Sequence, residues 1–315
     1  MSNLETTFAG LKLKNPIIVG SSGLTNSVEK IQELATKGAA AVVLKSLFEE
    51  QISYDIKSVL RFHADYLEAT DYIKEYTKNN SVKNYLKLIQ DAKSIGLPVI
   101  ASINCQNNNE WVGFAKEVEA AGADALEVNV FYLPIDKNKP SAEYEQIYFD
   151  LLSQLKKNLK IPIIFKLGKN FTNLTFLANR LKADGISGIT LFNRYYEPDI
   201  DIEKLTLTAS DIFSHPSEIR RVIRWLAILT DKVKGLDVSA STGVHDSTAA
   251  IKYLLAGAST VQLCSAIYKN GTTAIPEILS GIEKWMDSKQ FSSVSDFRGI
   301  MSYKQIPDPS VYERA

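Results

Sequence analysis

The most regular feature of this sequence is a repeated order of helix tail, glycine, small residue and short apolar run. It occurs around Gly38, Gly122, Gly185 and Gly257. In each copy the glycine suits the left-handed conformation that commonly ends a helix. The run after it is apolar on both faces, which is typical of a strand buried in a parallel sheet. The pattern therefore predicts repeated helix-to-strand units.

A second set of apolar runs lies between these copies, in the segments NPIIVGSS, LPVIASIN, IPIIFKLG and GLDVSAST. Three of these segments carry a proline before the run, at Pro16, Pro98 and Pro162, and proline is tolerated at the first residue of a strand. Amphipathic segments such as SVEKIQELATKG separate most of the runs. Together the two sets predict strands near residues 17–20, 41–45, 99–104, 125–129, 162–166, 188–193, 235–240 and 259–264.

This alternation of strand and helix favours an α/β fold, a closed (β/α)₈ TIM barrel, because parallel strands need right-handed crossovers and eight such units close on themselves. A doubly wound open sheet is the alternative, but GSSGLTN is a poor version of its glycine-rich first turn. Residues 4–13 alternate like a β-hairpin at the bottom of the barrel. Long loops are predicted at residues 47–85, after strand two, and 194–216, after strand six. We expect residues 1–315 to form one domain.

Composition narrows the classes of partner. The 36 basic and 36 acidic residues balance, so no overall field favours nucleic acid or an anionic membrane. Cys105 and Cys264 are the only cysteines, too few to bind an iron–sulfur cluster or to form a disulfide framework. The three histidines lack metal-ligand spacing, so no metal is expected. Because the chain shows neither a signal peptide nor a run of ~18 apolar residues, we expect a cytoplasmic protein.

Polar residues gather at the predicted carboxyl ends of the strands, where barrels of this type bind their ligands. The set contains two lysines and, at this level, no carboxylate: Ser21, Ser22, Gly23, Lys45, Ser46, Asn104, Cys105, Asn129, Lys166, Asn193, Ser241, Thr242, Gly243, Cys264 and Ser265. The loops after strands seven and eight are rich in small residues, which allow backbone N–H groups to approach an anion. The sequence therefore predicts a phosphorylated small-molecule ligand, without specifying which one.

These residues resemble the class 1 dihydroorotate dehydrogenases, which are FMN-dependent barrel enzymes. The resemblance rests on the order of TTFAGLKLKNPIIVGSSG, VVLKS, EVNVFYLP, IIFKLG, LFN, STGV, AGASTVQLCSAIYKNG and SVSDFRG. It implies an FMN-dependent oxidoreductase that acts on a CH–CH bond, converting dihydroorotate to orotate in pyrimidine biosynthesis, and it also implies a homodimer.

The resemblance further implies roles for individual residues. Those that would contact FMN are Ser22, Gly23, Lys45, Ser46, Asn129, Lys166, Phe192, Thr242, Gly243, Cys264 and Ser265. Lys166 would lie beside the pyrimidine edge of the flavin, where a cation stabilises the negative charge of the reduced ring. Asn193 and Arg194 would bind the substrate, while Tyr132 and Lys45 would occupy catalytic positions.

Departures from the family pattern, among them those at Tyr132 and Arg194, leave the identity of the substrate open. Tyr132 stands where the family has its catalytic cysteine, and Arg194 stands where it has serine. A tyrosine hydroxyl, with an ordinary pKa of about 10, is a weak base at neutral pH but can donate a proton. The expected substrate is therefore dihydroorotate or a related unsaturated acid. The alternatives are a flavin-binding barrel without turnover and a non-flavin phosphosugar isomerase or aldolase that uses Lys166 as base or nucleophile.

Overall fold

The computed structural model describes residues 2–48, 70–105, 111–130, 132–194, 197–209 and 211–314, without the side chains of residues 48, 70–80, 105, 111–112 and 209. Its strands are β1 (Thr6–Phe8), β2 (Leu11–Leu13), β3 (Ile17–Val19), β4 (Ala41–Val43), β5 (Leu47–Phe48), β6 (Val99–Cys105), β7 (Ala125–Val130), β8 (Ile163–Leu167), β9 (Gly188–Leu191), β10 (Pro198–Asp201), β11 (Thr206–Ala209), β12 (Asp237–Ser241) and β13 (Thr260–Leu263).

Eight parallel strands form a closed barrel, as predicted. The ring runs in the order β3, β4, β6, β7, β8, β9, β12 and β13, and the pairing of β13 with β3 completes it. The short β5 pairs with the carboxyl end of β6. The predicted strand positions are confirmed, although β4 ends at Val43 and β9 at Leu191, so Lys45 and Asn193 follow their strands rather than belonging to them.

Helices cover the outside of the barrel. They are α1 (Val28–Thr36), α2 (Thr70–Lys93), α3 (Trp111–Ala120), α4 (Ser141–Asn158), α5 (Leu174–Ala183), α6 (Ile219–Lys232), α7 (Ser247–Ala256), α8 (Ser265–Asn270), α9 (Ala274–Lys289) and α10 (Val294–Phe297). The glycines of the sequence repeat have φ angles of 103° at Gly38, 96° at Gly122, 90° at Gly185 and 117° at Gly257, which confirms their predicted left-handed conformation. No helix among the described residues is long and apolar enough to cross a membrane.

The lower half of the barrel interior is apolar. The antiparallel hairpin of β1 and β2 inserts Phe8, which is fully buried, among Ile18, Ile100 and Ile164. A Cβ added at Gly188 would lie 3.0 Å from the Phe8 ring, so the glycine makes room for this side chain. The predicted hairpin is therefore confirmed, and it closes the bottom of the barrel.

The two predicted long loops contain regular structure. In the first, α2 begins at Thr70, and residues 49–69 lie outside the described part of the chain. In the second, β10 and β11 form an antiparallel hairpin with Pro198 opposite Ala209. Sequence reasoning missed this hairpin because PDID and TLTA carry no strong alternation of apolar and polar residues.

Candidate active site

The upper half of the barrel interior is polar. Side chains alternate across a strand, so residues two positions beyond the apolar layer also point into the barrel. This places Ser102, Glu127, Lys166, Thr190 and Gln262 above that layer, and each of them is buried. The interior therefore changes from apolar to polar toward the carboxyl ends of the strands, where the predicted site lies.

Glu127 and Lys166 form an ion pair inside the barrel. Glu127 is 0% exposed and Lys166 is 9% exposed, and 3.8 Å separates Lys166 Nζ from Glu127 Oε1. The other carboxylate oxygen, Oε2, accepts hydrogen bonds from Thr190 Oγ1 and Gln262 Nε2, both at 2.9 Å. The sequence predicted no carboxylate among the residues at the strand ends. That expectation was incomplete, because Glu127 lies two residues before Asn129 on the same inward face of β7.

Several buried oxygen atoms in this region have no protein partner. Among the described residues, they include Asn104 Oδ1, Asn129 Oδ1, Gln262 Oε1 and Glu127 Oε1. Asn104 lies opposite Asn129 in the pairing of β6 with β7, and Asn129 lies opposite Lys166 in that of β7 with β8. Buried polar atoms are normally hydrogen-bonded, so this cluster indicates a site for a polar ligand.

Three serine hydroxyls connect the ends of neighbouring strands. Ser46 Oγ lies 3.0 Å from Ser21 Oγ and 2.7 Å from Ser102 Oγ, and Ser21 Oγ also accepts from the Ser46 backbone N–H at 2.9 Å. Tyr85 of α2 donates to the Ser102 carbonyl and accepts from its N–H. Burial raises the pKa of Tyr85 above its ordinary value. These bonds fix the position of Ser46, one of the predicted flavin contacts.

Residues 213–215, which precede α6, lie over the ends of β12 and β13. The backbone N–H of Ser214 donates to Ser265 Oγ at 3.0 Å, and the Ser214 carbonyl lies 2.8 Å from His245 Nε2. The Phe213 and Tyr268 rings lie 5.4 Å apart. This segment therefore forms one wall of the predicted phosphate site.

The two residues after β12 have unusual backbone conformations. Thr242 and Gly243 have φ angles of 81° and 73°. A Cβ at Gly243 would lie 2.9 Å from the backbone nitrogen of Ile219 and 3.2 Å from the His215 carbonyl oxygen, so local packing already requires glycine here. Thr242 is held by its carbonyl, which accepts from Tyr253 at 2.6 Å.

The remaining predicted flavin contacts occupy the adjoining strand ends. Ser22 Oγ donates to the Gly20 carbonyl at 3.2 Å, and a Cβ at Gly23 would lie 2.8 Å from the Tyr268 hydroxyl. Phe192 is buried after β9. Burial raises the pKa of the Cys264 thiol, and the charge of Lys166 opposes this effect.

A cavity of 630 Å³ opens beside the ends of β8, β9 and β12. Cationic side chains predominate in its lining, with Lys169, Arg194, Arg220, Arg221 and Arg224 against three acidic residues. Arg194 donates to the Ile212 carbonyl at 2.9 Å. Neighbouring Asn193 donates its backbone N–H to Leu167 at 2.8 Å. The excess of positive charge favours an anionic ligand in this cavity.

A second cavity, of 490 Å³, lies beside α1 and α2. Its lining includes Lys45, Ser46 and Tyr85. The predicted catalytic residue Lys45 is half-buried and lies two residues after the end of β4. It therefore lies where the ring of strand ends meets this second cavity.

Tyr132 follows β7 and packs against an aromatic cluster. Its ring centroid is 6.5 Å from that of Tyr148, which in turn contacts Phe165 and Phe171. Tyr132 is partly buried by this packing. Its catalytic role stays a prediction, as do the other site assignments.

Most of the predicted rim residues are thus brought to one end of the barrel. Sequence reasoning missed Ser102, Glu127, Thr190 and Gln262 because it considered only the last one or two residues of each strand. The available signal was the position of Glu127 within the apolar run ALEVNV, since an acidic residue there requires a buried partner.

Sequence comparison relates the chain to one family of known proteins. The family profile described as dihydroorotate dehydrogenase matches residues 3–286. The catalytic subunit of dihydroorotate dehydrogenase B (NAD(+)) of Thermoplasma volcanium is 28% identical over 311 residues, which cover 95% of this chain and 99% of that protein. The subunit of the same name from Pyrococcus furiosus is 29% identical over 308 residues, covering 95% and 98%. That of Thermoplasma acidophilum is 26% identical, covering 95% and 99%.

Proposed function

This chain belongs to the dihydroorotate dehydrogenase family, and from that premise we propose that it uses FMN to oxidise dihydroorotate, or to interconvert a related unsaturated acid with its reduced form. It is an oxidoreductase of the class that acts on CH–CH bonds. The observation that carries the proposal is the cluster of buried, unpaired oxygen atoms beside Lys166 at the top of the barrel.

The residues around this cluster fit a flavin ring. The pyrimidine part of FMN has one N–H donor and two carbonyl acceptors, and the amides of Asn104, Asn129 and Gln262 can supply both kinds of partner. Each of these amides has a buried oxygen without a protein partner. Lys166 adds the cation that an electron-rich, reduced ring requires. Ser22, Gly23, Lys45, Ser46 and Phe192 are the further ring contacts in this proposal.

The phosphate of FMN fits the other side of the site. In this proposal the phosphate binds the small side chains and backbone N–H groups of Thr242, Gly243, Cys264 and Ser265. These residues follow β12 and β13, and Ser265 contacts the segment 213–215. Such groups bind phosphate without a dedicated cation. FMN, once bound, supplies the hydride acceptor of the reaction.

The protein residues hold the substrate and move its proton. An acid substrate is an anion at neutral pH, and the 630 Å³ cavity presents Arg194 next to Asn193. Oxidation removes a hydride to the flavin and a proton to a base. In this proposal Tyr132 or Lys45 takes that proton, or returns one when the reaction runs toward the reduced acid.

The ion pair of Lys166 argues against the aldolase alternative. A Schiff-base nucleophile must be an uncharged amine, whereas Lys166 lies 3.8 Å from the buried carboxylate of Glu127. Borohydride trapping of a carbonyl substrate on Lys166 would restore that alternative. A flavin-binding barrel without turnover stays open as the second candidate, because the position of Tyr132 against Tyr148 is compatible with lost catalysis.

The visible spectrum of the purified protein tests the main proposal. We expect a yellow protein with one FMN per chain, whose absorbance bleaches when dihydroorotate is added without oxygen. A colourless protein that does not take up added FMN would exclude the proposal. A yellow protein that neither dihydroorotate nor related acids reduce or reoxidise would identify the barrel without turnover.

The β10–β11 hairpin supports a homodimer. Ile202, Leu205 and Leu207 are 76%, 85% and 75% exposed, and exposed apolar patches of this kind commonly mark protein interfaces. We propose that this hairpin packs against a second copy of the chain. As expected from the sequence, the 36 basic and 36 acidic residues give no overall charge that would favour nucleic acid or an anionic membrane as a partner.

The cysteine content limits the routes by which electrons can leave the flavin. The relatives are named catalytic subunits of NAD(+)-dependent enzymes. Because two cysteines cannot ligate an iron–sulfur cluster, we propose that electrons leave the flavin to a soluble acceptor or to a second subunit. Rapid reoxidation of anaerobically reduced protein by NAD⁺ alone would favour a soluble acceptor, and slow reoxidation would favour a second subunit.

A further inference from the structure

The carboxylate of Glu127 is the only acidic group described among the inward-facing residues of the polar layer, and the proposed reaction has not used it. It is fully buried, and both donors to its Oε2 come from other strands, Thr190 from β9 and Gln262 from β13. Its Oε1 has no hydrogen-bond partner. A buried ionised carboxylate is costly unless it is compensated, and Lys166 is the cation that faces it.

The distance between the two charged groups shows that they do not hydrogen-bond to each other. At 3.8 Å, Lys166 Nζ is too far from Glu127 Oε1 for a hydrogen bond, so the ammonium keeps its donors for another acceptor. Lys166 is partly open toward the strand ends, with its side chain 11% exposed, whereas the Glu127 side chain is 0% exposed. The carboxylate thus lies beneath the ammonium and the ligand site lies above it.

We propose that Glu127 is a positioning residue that holds the Lys166 ammonium at the flavin site and partly neutralises its charge. The proposal rests on the proposed FMN function. It implies that Glu127 makes the flavin harder to reduce than Lys166 alone would, because attraction to the carboxylate draws the ammonium back from the electrons added to the ring. The potential of the flavin is then set by the pair rather than by the lysine.

The test compares flavin midpoint potentials in matched variants of the full-length protein. Glu127→Gln keeps the size of the side chain and one oxygen acceptor but removes the charge. We expect it to shift the midpoint potential in the positive direction. Lys166→Met should shift the potential in the negative direction. Ser239→Ala is the control, because Ser239 is a buried neutral residue of the same interior whose hydroxyl bonds Thr260 rather than Glu127; we expect it to leave the potential unchanged.

A fourth variant asks whether Glu127 acts through the lysine. If it does, the shift in midpoint potential caused by Glu127→Gln should be less than half as large in the Lys166→Met protein as in the wild-type protein. Equal shifts in the two backgrounds would show direct action on the flavin and overturn the positioning role. An unchanged or more negative potential in Glu127→Gln alone would overturn the proposal as a whole.

The same variants provide a readout that needs no flavin. In urea unfolding of flavin-free protein, we expect Lys166→Met to have the lowest midpoint, because it leaves the Glu127 charge buried alone. The double variant should recover part of this loss. Additive losses would overturn the proposed pairing whether or not FMN binds. Absence of bound FMN would reject only the proposed function.

Discussion

Arg194 and Glu218 form an ion pair between the end of β9 and the start of α6, with 3.5 Å between Nε and Oε1. The same Glu218 oxygen accepts the backbone N–H of His215 at 2.7 Å. Glu218 therefore holds both the segment before α6 and the arginine that lines the 630 Å³ cavity. The pair orients a cation beside Asn193, and Arg194 Nη1 also donates to the Ile212 carbonyl.

Replacing Arg194 should weaken the binding of an acidic ligand. We expect Arg194→Ala to raise the dissociation constant for orotate about tenfold, since one charge-assisted hydrogen bond contributes ~1.4 kcal/mol or more. The FMN content should not change. Titration of the flavin spectrum with orotate measures the effect.

Glu218→Gln is the matched control for this prediction. It removes the charge that competes for Arg194, so orotate should bind at least as tightly as in the wild type. Unchanged orotate affinity in an FMN-loaded Arg194→Ala protein would remove Arg194 from the substrate site.

We expect Tyr132 to determine how fast dihydroorotate reduces the proposed flavin. As a weak base packed against Tyr148, it should support only slow reduction, and Tyr132→Cys should be faster because a thiol loses its proton more readily than a phenol. Stopped-flow absorbance with wild type, Tyr132→Cys and Tyr132→Phe measures the three rates. Fast reduction by the wild type that collapses in Tyr132→Phe would instead identify Tyr132 as the base.

His245 should make stability depend on pH. Burial lowers its pKa in the folded protein, so the unfolded chain binds a proton first as the pH falls. The stabilisation is complete above the unfolded pKa of ~6.5 and is lost as the pH falls toward the folded value. We expect wild type to exceed His245→Gln in free energy of unfolding by more at about pH 7.5 than at about pH 5.5.

Urea unfolding at both pH values checks this expectation. Between about pH 7.5 and pH 8.5 the difference between the two proteins should stay constant, because His245 is neutral in both states there. A difference that grows as the pH falls below ~6.5 would mean that the interaction with Ser214 favours the charged ring.

The β10–β11 hairpin should control the oligomeric state. Leu207→Glu places a charge in the exposed apolar patch and should convert a dimer to a monomer, since an unpaired charge buried in an interface is costly. Light scattering after size-exclusion chromatography gives the mass. Val311→Glu, which alters an apolar residue that is 51% exposed near the carboxyl end, should leave the dimer intact; a wild-type monomer would contradict the prediction.

The sequence by itself determined the elements of the barrel. The glycine-to-strand repeats and the apolar runs predicted all eight barrel strands, because helix endings and strand burial depend on residues close together in the chain. The same local patterns predicted that Lys166, Asn129 and Gly243 lie at one end of the barrel, because the carboxyl ends of parallel strands share one edge.

Only the tertiary structure decided which of those residues meet. Glu127 contacts Thr190 and Gln262, which are 63 and 135 positions away in the chain, and these contacts exist only when the barrel closes with the observed register. Likewise, the packing of Ser214 on Ser265 depends on a loop whose conformation no periodic pattern specifies. Local patterns determine strands and helices because they act through neighbouring backbone, whereas the charge pair beneath the site depends on how distant strands are aligned.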